Sequence, residues 1–408
     1  MATRRDPRSL NSTLRERLVA TRALTLDLAA RLSDADATIQ PHPDASPAKW
    51  HLAHTTWFFE TFILRDSVPG YRLFDERFPF LFNSYYEGEG PRLARPRRGM
   101  ISRPGLDEIR AWRSHVDEAL VRNLGNVRED LITLGIHHEQ QHQELFLTDI
   151  LATFAENPLE PAYSELHQTP AEAAKRGWQE QPGGLIAIGA GEDGFAFDCE
   201  RPRHRLLLHP HALAEWTVTN SEWDEFIARG GYSIPNLWLS EGYDWVRREG
   251  ITAPLYWHED GTHFTLAGRI ERNPAAPVAH ISFYEADAYA RWAGARLPRE
   301  EEWENAATST DPSEGQQLDR AAAAVPAARS DWFGGVWEWT GSAFLPYPGF
   351  APAKGTVGEY NGKFMSGQCV LKGASCATPR GHSRPSYRNF FPPAARWQFT
   401  GVRLARDT

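Results

Sequence analysis

The stretch Ile281-Ser-Phe-Tyr-Glu-Ala-Asp-Ala-Tyr-Ala-Arg-Trp-Ala-Gly-Ala-Arg-Leu-Pro-Arg-Glu-Glu-Glu-Trp-Glu304 decides how the second half of this chain is read. A helix near Tyr284 to Ala293 gives way at Gly294 to a turn-rich, charged run. From Gly183 onward the chain keeps this manner: short apolar runs broken by Gly, Pro, Asp and Asn, with a second helix near Ser221 to Arg229 and no other clear one. The 15 Trp of the chain suit such a loop-rich domain, because large flat side chains fill space that regular elements leave open.

Before this domain, residues 158–182 hold Pro158, Pro161, Pro170 and Pro182-Gly183 and read as a linker with room for one short helix. The first part, 1–157, is helical instead. Leu14, Leu18, Thr21, Leu24, Leu28 and Leu32 recur at three- and four-residue steps, the mark of one buried stripe. Ser46-Pro47 predicts a second helix start, a capping residue followed by proline at the first helical position, running through Trp50, His54, Trp57, Phe58 and Phe62. Two more helices cover roughly Leu106 to Leu124 and Val127 to Ala155, and four helices of this length suggest an antiparallel bundle. The connection from Arg65 to Pro104 is long enough to carry function of its own.

Two domains also fit the length of 408 residues. A net charge of -9 and the absence of a long basic run argue against a nucleic-acid partner. The start, Met1 to Arg8, lacks the apolar core of a signal peptide, and no later apolar stretch is long enough to span a membrane. Cys199, Cys369 and Cys376 are too few and too scattered for a disulfide framework or a Cys-rich zinc site, so a cytoplasmic location is expected.

Chemistry concentrates in His138-Glu-Gln-Gln-His142. Two histidines four apart on a helix project from one face and can share a metal. The same letters match the HExxH pattern of zinc hydrolases, in which Glu139 would be the general base. A solvated polar face is the third reading, since His137, three Gln and two Glu crowd the same turns. On the second helix, His54 shares a stripe with Trp50, Trp57 and Phe58, where a histidine can be core or ligand, and His51 lies one turn earlier.

Gly335-Val-Trp-Glu-Trp-Thr340 and Gly401-Val-Arg-Leu-Ala405, with the stretch quoted first, resemble the formylglycine-generating-enzyme domain, a C-type-lectin-like fold. The first half resembles a DinB-type bundle, carried by His51-Leu-Ala-His54 and His138-Glu-Gln-Gln-His142. In this order the two domains resemble the sulfoxide synthases of ergothioneine biosynthesis. The resemblance implies an α plus α+β architecture: a DinB-like four-helix bundle at 1–157, then a C-type-lectin-like domain at 183–408, supplying one active site together. It implies Fe(II) held by His54, His138 and His142, with dioxygen as co-substrate. An oxidative role excludes zinc, and a third imidazole in place of the usual carboxylate raises the site charge by one unit, which suits an anionic thiolate.

The implied substrate is hercynine, joined at imidazole C2 to a cysteine-type sulfur. Gln141, Asn389 and Phe390 take the positions that face it, an amide donor serving a carboxylate and an aromatic face a quaternary ammonium. Tyr85 and Tyr86 match a tyrosine pair of which one phenol supplies a proton. Of the loop arginines, Arg95 and Arg98 are the choices for the carboxylate of the sulfur donor, against the plainer account of a solvated basic loop. Members using gamma-glutamylcysteine carry an acidic residue where this chain has Phe391, which favours cysteine. Ser366-Gly367 and Lys372-Gly373-Ala374 also depart from the usual pattern, and leave open a selenoneine synthase that joins hercynine to selenium from a selenosugar.

Overall fold

In the computed structural model, residues 7–167, 176–355, 358 and 361–408 are described, with side chains from 13 onward. The chain divides into two compact units, residues 1–157 with 320–322 and 354–360, and the remainder.

In the first unit the long helices are α1 (Pro7–Ala29), α3 (Ala48–Phe59), α5 (Leu106–Asn123) and α6 (Glu129–Ala155), with short helices α2 (Asp34–Thr38) and α4 (Phe78–Phe82) between them. Every residue of α3 is buried, and it packs against α1, α5 and α6. Trp50, Trp57, Phe58 and Phe59 give it broad apolar contact, and its polar residues Lys49, His51, His54, Thr55 and Thr56 are buried as well, so no side of it faces solvent. Its end widens into a π-helix over Glu60–Arg65. Close approach of α6 is possible because position 135 is glycine: a Cβ there would lie 2.6 Å from Phe59 Cε1. The helix start differs from the expected one. Pro47 is the N-cap, and Ser46 makes no cap because its groups are used elsewhere, its N–H donating to Asp149 Oδ2 (2.8 Å) and its hydroxyl accepting from Arg98 (2.9 Å).

The second unit holds the strands. One sheet has the order β1 (Trp178–Gln181), β4 (His211–Thr217), β11 (Arg403–Asp407), all antiparallel. The other runs β10 (Thr400–Gly401), β7 (Trp337–Ala343), β8 (Cys369–Gly373), β9 (Asn389–Phe391), with β10 parallel to β7. Hairpins β2–β3 (Gly184–Ile188, His204–Leu208) and β5–β6 (Thr262–Thr265, Gly268–Glu271) complete it. The expected helices are present as α7 (Asn220–Ala228) and α9 (Phe283–Trp292), each opened by a capping box, Thr219 with Glu222 and Ser282 with Glu285. Two further helices correct the sequence reading: α8 (Ser240–Glu249) and α10 (Glu300–Ala307). The stop of α8 was visible, since Gly250 takes the left-handed conformation (φ 65°) that ends helices. Part of the expected linker also belongs to this unit: β1 pairs with β4, and the N–H groups of Tyr163 and Ser164 donate to Leu266 O. Linker residues 168–175 lie outside the described residues.

The three sequence signatures of this unit meet at one buried carboxylate. Glu338 of β7 pairs with Arg403 of β11 at 2.7 Å and accepts from Trp303 Nε1 of α10 at 2.6 Å, all of them about 1% exposed or less. A buried ion pair with every donor directed is tolerated where an unpaired charge is not.

Candidate metal centre

The central helix α3 and its neighbour α6 bring three imidazoles together. One ligand-capable atom from each of His54, His138 and His142 lies within 4.8 Å of the others, and among the described residues no other such group of three or more His, Cys, Asp or Glu occurs. The ring centroids are 4.7–5.0 Å apart. His54 is fixed between Trp50 (4.5 Å, stacked) and Trp57 (5.3 Å, stacked), and its Nδ1 donates to Phe82 O at 2.6 Å. Its Nε2 is buried with no hydrogen-bond partner, an arrangement that costs free energy unless an ion takes the lone pair. Phe58 lies 4.6 Å from His138. Burial and then the neighbouring imidazoles hold His54 and His142 well below the usual histidine range, and burial lowers His138 to about 3. All three are therefore neutral at neutral pH, the form that ligates. Three neutral imidazoles suit a transition metal, and the residues present fit one.

Around the trio a shell appears that spacing alone did not reveal. His51 Nδ1 is 2.9 Å from His142 Nδ1, and His51 Nε2 is 3.1 Å from Asp149 Oδ2. Arg98 stacks 3.4 Å above the Trp50 ring, and its guanidinium donates to Ser46 Oγ (2.9 Å) and Ser84 Oγ (3.1 Å), with Nε unpaired. It is 2% exposed and has no carboxylate partner among the described residues, so burial and then Arg95 push it down while Asp149 and Tyr85 oppose. Asp149, seven residues after His142 on α6, carries no motif that would mark it in the sequence.

Other predicted residues are placed as follows. Tyr86 is buried against Trp57 (5.5 Å) and Phe62 (5.1 Å), whereas Tyr85 is half-buried with its ring 4.9 Å from Tyr86. Arg95 is exposed, and Gln141 half-buried. In the second unit Asn389 Oδ1 accepts from Phe390 N–H at 2.9 Å, and Asn389 Nδ2 makes no hydrogen bond among the described residues. The Phe390 ring stacks on Phe344 (4.2 Å) and faces Phe364 (5.8 Å), so packing already occupies it; Phe391 meets Trp397 edge-on at 5.8 Å.

Glu139 does not serve as the base of a zinc hydrolase. It is fully buried, with Oε2 held by Arg22 (2.9 Å) and Oε1 by Thr25 (2.5 Å) and Arg113. Burial raises its pKa, but the two guanidinium groups and the Thr25 hydroxyl more than offset this and lower it. A carboxylate buried and held between two guanidinium groups and a hydroxyl is structural and is not poised to activate a water.

This helical unit with a histidine trio, joined to a sheet unit built on the Glu338 hub, defines a two-part architecture. Residues 17–155 match the DinB superfamily, and 170–329 and 326–408 match the sulfatase-modifying factor enzyme 1-like domain. The chain belongs to the hercynine oxygenase family: it is 35% identical to the hercynine oxygenase of Mycobacterium tuberculosis, covering 96% of this chain and 97% of that protein. It is 34% identical to the hercynine oxygenase of Mycolicibacterium smegmatis over 97% and 99%. Ergothioneine biosynthesis protein 1 of Schizosaccharomyces pombe is 27% identical over 52% of this chain and 28% of that protein. No helix among the described residues is long and apolar enough to cross a membrane.

Proposed function

We propose that this chain is an Fe(II)- and dioxygen-dependent oxidoreductase that joins the sulfur of cysteine to imidazole C2 of hercynine, giving hercynylcysteine sulfoxide. The observation that carries the reading is the neutral trio His54, His138 and His142, with His54 Nε2 unpaired in the core of a chain similar end to end to hercynine oxygenases. Iron bound there would activate dioxygen beside a coordinated thiolate; zinc offers no such chemistry. The chain's own residues do the rest. Arg98 offers to the donor's carboxylate a buried guanidinium with no ion-pair partner among the described residues, with exposed Arg95 as a second cation of the same loop. Asn389 Nδ2 has donors to spare for the carboxylate of hercynine. Gln141 and Phe390 are assigned to hercynine by the family resemblance alone. Tyr85, the less buried of the tyrosine pair, delivers a proton from its phenol, and core-packed Tyr86 supports it. The deciding assay supplies Fe(II), hercynine and air with cysteine, gamma-glutamylcysteine or a selenosugar in parallel; turnover with no sulfur donor sinks the reading, and turnover with the selenosugar alone replaces sulfur by selenium.

Two expected results follow from these placements. Tyr85→Phe deletes one hydroxyl and almost no volume, so it should keep the metal and both substrates yet cut coupling by roughly 100-fold, the scale of a lost general acid. Product analysis should show the thiol oxidised without hercynine. The same outcome in Tyr86→Phe, with Tyr85→Phe unchanged, would move the role by one residue.

Cysteine should also be preferred over gamma-glutamylcysteine, because Phe391 meets Trp397 and offers no counter-charge to a second ammonium. Phe391→Asp should shift the ratio of kcat/KM values toward the dipeptide, whereas Arg98→Gln should raise KM for the thiol more than for hercynine. Equal efficiency of wild type with both thiols would count against the Phe391 argument.

A further inference from the structure

We propose that His51 and Asp149 form a positioning relay that holds His142 in the tautomer able to bind a metal through Nε2. The inference rests on the metal-site reading above and concerns residues outside the ligand trio.

His51 lies one turn before His54 on α3, and Asp149 two turns after His142 on α6, so the relay crosses the same helix pair as the site. His51 is 2% exposed and Asp149 5% exposed. A carboxylate accepts hydrogen bonds and cannot donate. Asp149 Oδ2, 3.1 Å from His51 Nε2, therefore fixes the proton of His51 on Nε2. A neutral imidazole has one donor and one acceptor, which leaves His51 Nδ1 as an acceptor. It lies 2.9 Å from His142 Nδ1, which must then carry the proton, leaving the lone pair of His142 on Nε2. The Ser46 N–H, donating to the same Asp149 oxygen at 2.8 Å, anchors the far end. His54 reaches the same state by a shorter route, its Nδ1–H donating to Phe82 O at 2.6 Å. Two of the three ligands are thus prepared alike, one by a backbone carbonyl and one by a borrowed carboxylate. The relay also favours His54 over His51 as ligand: both nitrogens of His51 are already engaged, while His54 keeps one unpaired.

The test uses Co(II) as the probe, titrated into metal-free full-length protein and followed by its visible absorption, with thermal unfolding of each metal-free variant measured alongside. His51→Leu removes the acceptor, and His51→Gln keeps one in its side-chain oxygen. Second-shell losses of this kind typically weaken metal binding about 10- to 100-fold, which is the expected effect of His51→Leu, with a changed absorption band; His51→Gln should return to within about threefold of wild type. Wild-type affinity and spectrum in His51→Leu would overturn the relay while leaving the metal site standing. Equal losses in both variants would overturn it too, because side-chain volume rather than the acceptor would then be the cause. A wild-type protein that binds no Co(II), or a His54→Ala variant that binds it unchanged, would overturn the metal reading and the relay with it.

Discussion

Alanine at His54, His138 or His142 is expected to weaken metal binding by more than about 100-fold, because loss of a mere outer-shell partner already costs about 10- to 100-fold. Each substitution removes one of the three proposed donors from a site enclosed by Trp50, Trp57 and Phe58. Among the described residues no second group of this kind offers a substitute, and in the His54 and His138 variants His51 stays engaged with His142 and Asp149. Hercynine-dependent turnover should fall to background in all three variants. Anaerobic Fe(II) titration followed by metal analysis of the desalted protein checks this, and any one variant that retains stoichiometric iron would remove that histidine from the ligand set.

A different kind of loss is expected at the neighbouring position. Glu139→Ala should destabilise the first unit by about 3–5 kcal/mol, the usual consequence of breaking a buried ion pair on one side. Arg22 and Arg113, both nearly fully buried, would face each other across the gap with Asp117 alone to offset them. The pair ties α1 to α6 and α5, and Arg22 also donates to Thr56 on α3, so the damage should spread through the bundle. Urea unfolding of the metal-free protein measures it as a lower midpoint. A hydrolase would behave otherwise, keeping its stability and losing only peptide or ester cleavage. An unchanged midpoint for Glu139→Ala would be hard to reconcile with the network described.

Helix periodicity made the bundle legible, because Leu14 to Leu32 and the His138–His142 step depend on local spacing alone. The letters of HExxH were ambiguous for the same reason. Residues 138 and 139 point about 100° apart on a helix, and spacing cannot say which direction meets His54 and His142 and which meets Arg22 and Arg113. His54 became readable through the family resemblance, since a histidine on an apolar stripe is chemically indistinct from a core residue. Asp149, the Phe82 carbonyl and the Ser46 N–H were out of reach, as their roles exist only once α3 and α6 are packed. The same holds for α10, whose carboxylates read as surface until Glu300 meets Arg388 and Glu304 meets Lys372 in the interior. At Ser46 a local signal was overridden by a tertiary one.

The hub at Glu338 bears on how such chains are recognised at all. Trp303, Glu338 and Arg403 each lie in one of the three sequence signatures of this second unit, and each is sealed in its interior. What those letters certify is therefore a scaffold. A duplicate gene could lose every group that meets a substrate and still keep all three letters. Sorting such chains by chemistry calls for the histidines of the other unit, and for the carbonyl and carboxylate behind them.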